Sequence, residues 1–250
     1  SGATTSWKFT YTEITTIPVG TPATLAEAIS DYGATGYWKL DEASGTTITD
    51  YSGNNNHGTL AGTAGTDYTL AAQNGYLEFK TATGKITVPD HNGYSIPADG
   101  AITVFMLERR ATEGGGRALI TKTATNQGEW AIVALGALVQ GVLYIPTNQL
   151  ISAKQSGNIP TAAWCAHWTI LRRPSIPMSY PEHYVNSTTL SSGLADSGSP
   201  TTNYVNGTAP LNIGGGVIGA VGEVAIFPWA LTTAHIQKML DLARAEGLIP

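Results

Sequence analysis

Between Gly36 and Phe227 the sequence is a succession of short runs rich in Val, Ile, Thr, Tyr, Phe and Trp, each stopped by Gly, Asn, Pro or Asp. They read GYWKL, GTTITD, GYLEF, GKITVP, AITVFML, RALITK, EWAIVAL, GVLYIP, CAHWTILRR, EHYVN, LNIGG and VGEVAIF. β-Branched and aromatic side chains suit a pleated, half-buried surface, and the stops supply turn conformations. No helical period separates consecutive runs, which argues against a parallel sheet with crossover helices. The pattern predicts an all-β, two-sheet antiparallel sandwich.

Three segments differ from this texture. Near the N-terminus Trp7, Phe9 and Tyr11 share one face of an alternating strand, before Pro18, Gly20 and Pro22 break it. This predicts an arm over residues 1–22, separate from a domain over 23–250. The arm docks on its own domain or pairs with the edge strand of a partner. A short helix is expected over 24–30 and is closed by Gly33. A second helix, capped by Thr232 or Thr233, carries Ile236, Met239, Leu240 and Ala243 as one apolar stripe. Gly247 stops it and Pro250 forbids its continuation.

Composition narrows the setting. Charged residues are 12% of the chain, about half the usual quarter. Solubility therefore rests on Thr, Ser, Asn and Gly, a surface that fits an extracellular or virion-surface location. The net charge of −5, with scattered Lys and Arg, argues against a nucleic-acid partner. The most apolar stretch, residues 131–145, is shorter than the roughly 18 residues of a membrane-spanning helix. Broken by Gly136, Gln140 and Gly141, it predicts two buried strands joined by a turn, and no membrane partner. The single cysteine, Cys165, cannot form an intramolecular disulfide and reads as a small buried hydrophobe.

These pieces, in this order, resemble the laminin-G-like, concanavalin A-like lectin/glucanase superfamily, in particular its bacterial and phage branch. The resemblance is carried by LAEAISDYGATGYWKLDEASGTTITDYSGNNNHGTL (25–60) and by VGEVAIFPWALTTAHIQKML at the other end. GYLEF, KITVP, AITVFML, WCAHWTILRR, HYVN and LNIGGG are similar to the strands between. It spans about 24–240 and implies a jelly roll with binding loops at the rim of a concave sheet. Two positions depart from the family. Gly222-Glu223 stands where Asp-Glu is common, and Thr232-x-x-His235 replaces a Ser-x-x-Glu capping box, so the reciprocal bond of that box is expected to be missing.

The run DYSGNNNHGTL (50–60) concentrates turn-forming residues. Asp50, Ser52, Asn54 and Asn56 alternate like the first ligands of an EF-hand. Asn55 and Ala61 stand where that loop needs Gly and Glu, which excludes it. Three readings remain: a turn fixed by side-chain acceptors, a calcium-assisted turn with Asp50 and Asn54 as ligands, and direct ligand contact by Asn55 or His57.

Catalytic patterns are missing from the sequence. No Glu belongs to a Glu-x-Asp-x-x-Glu strand, and Asp41 and Glu42 point to opposite faces of any strand. No metal-ligand spacing, nucleophile elbow or phosphate loop occurs. Sugar binding needs aromatic platforms and planar polar groups. Trp130, Trp168, Tyr180, His183, Tyr184 and Asn126 are candidates, and Tyr180 and His183 sit in RRPSIPMSYPEHY, a Pro-rich stretch that reads as an exposed loop. The expectation is a non-catalytic recognition or adhesion module without a catalytic cofactor, such as a phage head-decoration or tail component. It binds a glycan, seats its arm on a capsid or tail protein, and admits a homo-oligomer. The alternatives are a carbohydrate-active enzyme or its sugar-binding module, and a structural cement protein.

Overall fold

A computed structural model describes residues 21–71, 75–98, 100–111, 117–124, 127–135, 138–144, 150–155, 162–173, 180–191, 195–196, 206–216 and 218–250. The predicted arm with Trp7, Phe9 and Tyr11, and Asn126, lie outside these residues.

The chain opens with helix α1 (Leu25–Asp31) and continues through β1 (Gly36–Trp38), β2 (Thr47–Ile48), β3 (Gly58–Ala61), β4 (Tyr68–Ala71), β5 (Tyr76–Phe79) and β6 (Lys85–Val88). Next come β7 (Ala101–Arg110), β8 (Arg117–Ala124), β9 (Gln127–Leu135), β10 (Leu138–Tyr144) and β11 (Leu150–Gln155). The last elements are β12 (Cys165–Arg172), β13 (Glu182–Val185), β14 (Ala195–Asp196), β15 (Leu211–Gly214), β16 (Gly219–Phe227) and α2 (Thr233–Ala245). A 7-stranded sheet runs β13-β12-β7-β16-β5-β4, with β1 also on β16, and a 9-stranded sheet runs β14-β11-β10-β9-β8-β15-β6-β3-β2. All named strand pairings are antiparallel. The two sheets form the sandwich that the short runs predict.

Two apolar layers explain why the runs differ in texture. One core lies between the sheets and includes Trp38, Ile86, Val104, Met106, Trp130, Ile213 and Ile226. A second lies on the outer face of the smaller sheet, where Phe105, Trp168, Phe227 and both helices pack. The smaller sheet is thus covered on both faces, and its central strand β7 is buried at nearly every position. A strand in that setting needs a continuous apolar run, AITVFML, whereas β3 and β6 in the larger sheet alternate buried and exposed. The predicted stripe of α2 is buried in the second core. Its Ile236, Met239 and Leu240 side chains, all buried, each contribute about 1.5–3 kcal/mol.

Both helices begin with a capping box. At α1 the Thr24 hydroxyl accepts from Glu27 N, and Glu27 Oε2 accepts from Thr24 N. At α2 the reciprocal bond expected to be missing is made by His235, whose Nδ1 accepts from Thr232 N at 3.2 Å. A histidine nitrogen thus takes the place of a carboxylate oxygen, and the ring is held between Tyr32 and Trp229. Gly247, at φ 70, ends α2 with Leu248 N donating to Ala243 O and Gly247 N to Arg244 O. Among the described residues no helix is long and apolar enough to cross a membrane.

Candidate functional site

The 50–57 loop folds around one carboxylate. Asp50 Oδ1 accepts from Tyr37 N (3.0 Å) and Ser52 N (2.9 Å), and Oδ2 from Ser52 Oγ (2.9 Å) and Asn56 N (2.8 Å). A carboxylate offers about four lone-pair positions, so a cation at Asp50 would have to displace these donors. His57 Nδ1 accepts from Asp50 N, and the Asn54 and Asn56 side-chain amides donate to Thr35 O. Asn55 takes φ 58 at the exposed tip. The run therefore builds a turn that clamps the start of β1. Among the described residues no group of three or more His, Cys, Asp or Glu could hold a metal ion. Asp50→Ala leaves three backbone N–H groups and a hydroxyl without their acceptor, and is expected to cost about 2–4 kcal/mol. Urea unfolding measures this; a wild-type midpoint would show that the loop finds other acceptors.

The aromatic and histidine candidates divide. Trp130 is fully buried, and its indole N–H donates to Tyr94 O at 2.8 Å. His183 is 1% exposed; its Nε2 accepts from Gly141 N and its Nδ1 meets Thr169 Oγ1 at 3.0 Å. Neither presents a face to a ligand, because each strand turns that side chain into the sandwich. Tyr180 stays partly exposed at the lead into β13.

A polar cluster is sealed inside one end of the sandwich. Alternation on β7 sends Glu108 and Arg110 inward, and β12 sends Cys165 and His167 to meet them. Glu108 Oε1 lies 3.3 Å from Arg110 Nε and 3.4 Å from His167 Nε2. The four residues are 0–3% exposed. Burial, partly offset by Arg110, pushes Glu108 up to about 7. Burial, with Arg110 and His183 adding repulsion, holds His167 down to about 3. At mildly acidic pH the Glu108–His167 contact is therefore neutral, although its distance alone would count it as an ion pair. Burial pushes the Cys165 thiol up to about 12, which keeps it a thiol rather than a nucleophilic thiolate.

The outward position between these two inward ones is Arg109. Its guanidinium carbon stands 5.2 Å from the Tyr76 ring and 5.3 Å from the Trp164 ring, and the rings meet edge to face at 5.3 Å. Nη2 donates to the Tyr76 hydroxyl at 3.4 Å. Tyr76 comes from β5, which reaches the same face because β16 pairs with both β5 and β7. Trp164 ends the turn before β12, where Ala162 takes φ 60 and donates to Arg110 O. Residues 247–250 wall the other side, held where Arg244 Nε donates to Pro250 O. The result is an open cleft of about 360 Å³ lined by Arg109, Trp164, Ala162, Ala163 and that tail. Among the described residues Arg109 has no carboxylate partner. The sequence reading did not single out Arg109, Tyr76 or Trp164 for binding. The available signal was the alternation in LERR, which puts Arg109 opposite Glu108 and Arg110.

No protein-family model and no curated protein matches this sequence. Solved structures do match. The binding domain of Paraclostridial Mosquitocidal Protein 1 is similar at a TM-score of 0.63 and 12% identity, covering 85% of this chain and 52% of that one. The binding domain of botulinum neurotoxin DC, solved with rat synaptotagmin II, gives 0.63 and 12%, covering 85% and 52%. The ligand-binding domain of botulinum neurotoxin serotype D, solved with N-acetylneuraminic acid, gives 0.62 and 13%, covering 86% and 52%. This chain spans about half the length of these domains, and at such identity the likeness shows the shared fold alone.

Proposed function

We propose that this chain is a non-catalytic recognition domain that binds glycans in the Arg109–Trp164 cleft. The observation that carries the reading is the cleft: a partly exposed indole and phenol hold a guanidinium beside open space, the pairing of flat apolar face and planar donor that sugar rings require. The fold likeness to toxin binding domains, one of them solved with a sugar acid, supports it. The neutral-range carboxyl Glu108 is sealed between the sheets, where no substrate reaches it, which supports binding without turnover. Placement outside the cell or on a virion, with the 1–22 arm seated on a capsid or tail protein, draws on the low charge and on the phage-like opening motif.

The test is a broad panel of neutral, acidic and sulfated glycans, followed by Trp164→Ala on whichever binds. The expected result is at least about tenfold weaker binding, since losing one stacked ring costs about 1.4 kcal/mol or more, in a variant that still unfolds in one cooperative transition well above the assay temperature. A panel in which nothing binds, or a ligand indifferent to Trp164→Ala, sinks the assignment of this cleft.

A further inference from the structure

We propose that the glycan taken by this cleft is acidic: a terminal uronic or sialic residue pairs its carboxylate with Arg109 and lays its ring on Trp164. The inference rests on the glycan-binding reading and adds the ligand class. It follows from an unbalanced charge. Arg109 spends one of its five N–H donors on Tyr76. Along the strands, Ala220 separates it from Glu78, the carboxylate on the same face. Two inter-strand steps put the two backbones roughly 10 Å apart, and no ion pair joins the side chains.

Among the other described cations three are ion-paired, while Lys39 stands over the Tyr37 and Tyr51 rings and Lys80 and Arg173 donate to backbone carbonyls. Arg110 has Glu108, Lys122 has Glu129 and Asp90, and Arg172 has Glu182. In a chain of net charge −5, Arg109 faces a cleft with only rings against its faces. Those rings fix the plane of the guanidinium, so little freedom is lost when a planar carboxylate docks edge-on in two parallel hydrogen bonds. Stacking also strips water from the cation, which strengthens pairing with an incoming anion. A phosphate would call for further cations or a cradle of backbone N–H groups, and the cleft lining offers a single cation. One guanidinium matches one carboxylate. The cleft volume is at the small end of the roughly 300–1,000 Å³ range for small-molecule sites, which suits a terminal sugar rather than an enclosed chain.

The experiment titrates the full chain with matched pairs differing only in the carboxylate charge: sialyllactose against its methyl ester, and oligogalacturonate against its methyl ester. Intrinsic Trp fluorescence and calorimetry read the binding. At least one acidic member should bind about 10- to 100-fold tighter than its neutral counterpart, the range of one charge-assisted pair. The preferred pair says which acid the site takes. Arg109→Ala should erase the preference, bringing the acidic member down to the affinity of its neutral counterpart, whatever the variant does to both. Arg109→Lys, which keeps the charge but not the fork, should recover only part of it and guards against a folding defect in the alanine variant. Equal binding of acidic and neutral members, both weakened by Trp164→Ala, overturns the acidic assignment and leaves the glycan reading standing. Binding of neither pair, nor of any neutral or sulfated glycan, overturns both. A preference that survives Arg109→Ala places the carboxylate elsewhere and overturns this one.

Discussion

Lys122→Ala is expected to destabilise the fold by about 3–5 kcal/mol, the penalty for stripping the partner from a buried charge. Lys122 lies on β8 and points into the sandwich with no exposed surface. Its ammonium pairs with Glu129, equally buried on β9, and with Asp90 Oδ1 at 2.7 Å, and it donates to Gly207 O at 3.3 Å. One cation therefore ties together two strands of the larger sheet, the turn after β6 and the approach to β15. Burial raises the Glu129 carboxyl and Lys122 draws it back down. Without Lys122 that carboxyl must take up a proton or draw in water. Asp90 loses the same partner at little cost, because its side chain is 28% exposed. The double variant Lys122→Met/Glu129→Leu removes both charges and fills the space, so it should recover most of the loss and distinguish an orphaned carboxylate from a simple cavity. Urea midpoints at neutral pH measure both. A loss under about 1 kcal/mol in Lys122→Ala would mean that the 206–210 segment opens and hydrates Glu129.

How far the sequence shows this architecture depends on the range of the interactions. Each expected run corresponds to a strand, because burial on one or both faces imposes period two or continuous apolarity on local sequence. β4, β11 and β14 escaped. β4 and β14 each end a sheet path and β11 is next to an end, where packing constrains the sequence less, although the opposite ends β13 and β2 keep their β-branched or aromatic runs. The Asp50 turn was legible because its donors lie within a few residues, apart from Tyr37. The capping role of His235 was not, since the rule sought a carboxylate and the ring works through one nitrogen. Trp130 and His183 show the limit of side-chain type as a guide to binding. An aromatic or imidazole ring looks alike in sequence whether its strand turns it outward or inward, and only the register decides. The cleft lies beyond that limit, because β16 brings Tyr76 of β5 to Arg109 of β7, and the β12–β7 pairing brings Trp164 from more than fifty residues along the chain.

Glu108→Gln and His167→Gln should tilt the pH dependence of stability in opposite directions. The folded pKa of Glu108 is raised from 4.5 to about 7. Between these values the folded state keeps a proton that the unfolded chain has released, so this group's contribution falls as pH rises. The folded pKa of His167 is lowered from 6.5 to about 3. Over that window the unfolded chain binds a proton that the folded state refuses, so its contribution falls as pH drops. The windows overlap between about 4.5 and 6.5, where the two slopes offset each other in the wild type. Removing either group uncovers the other. Relative to wild type, Glu108→Gln should gain about 3 kcal/mol as pH rises from 4.5 to 7, and His167→Gln should gain about 3 kcal/mol as pH falls from 6.5 to 4.5, at about 1.4 kcal/mol per pH unit. Arg110, Cys165 and His183 face the same interior. The thiol, pushed up to about 12, stays protonated throughout and adds no slope. Glu223, raised to about 7 outside this cluster, is common to every variant and drops out of the differences. Urea unfolding at four pH values between 4.5 and 7.5 supplies the curves. Flat differences for both variants would mean that water reaches Glu108 and His167 in the folded state. The cluster would then be open to solvent, and the argument that it cannot serve a substrate would lose its footing.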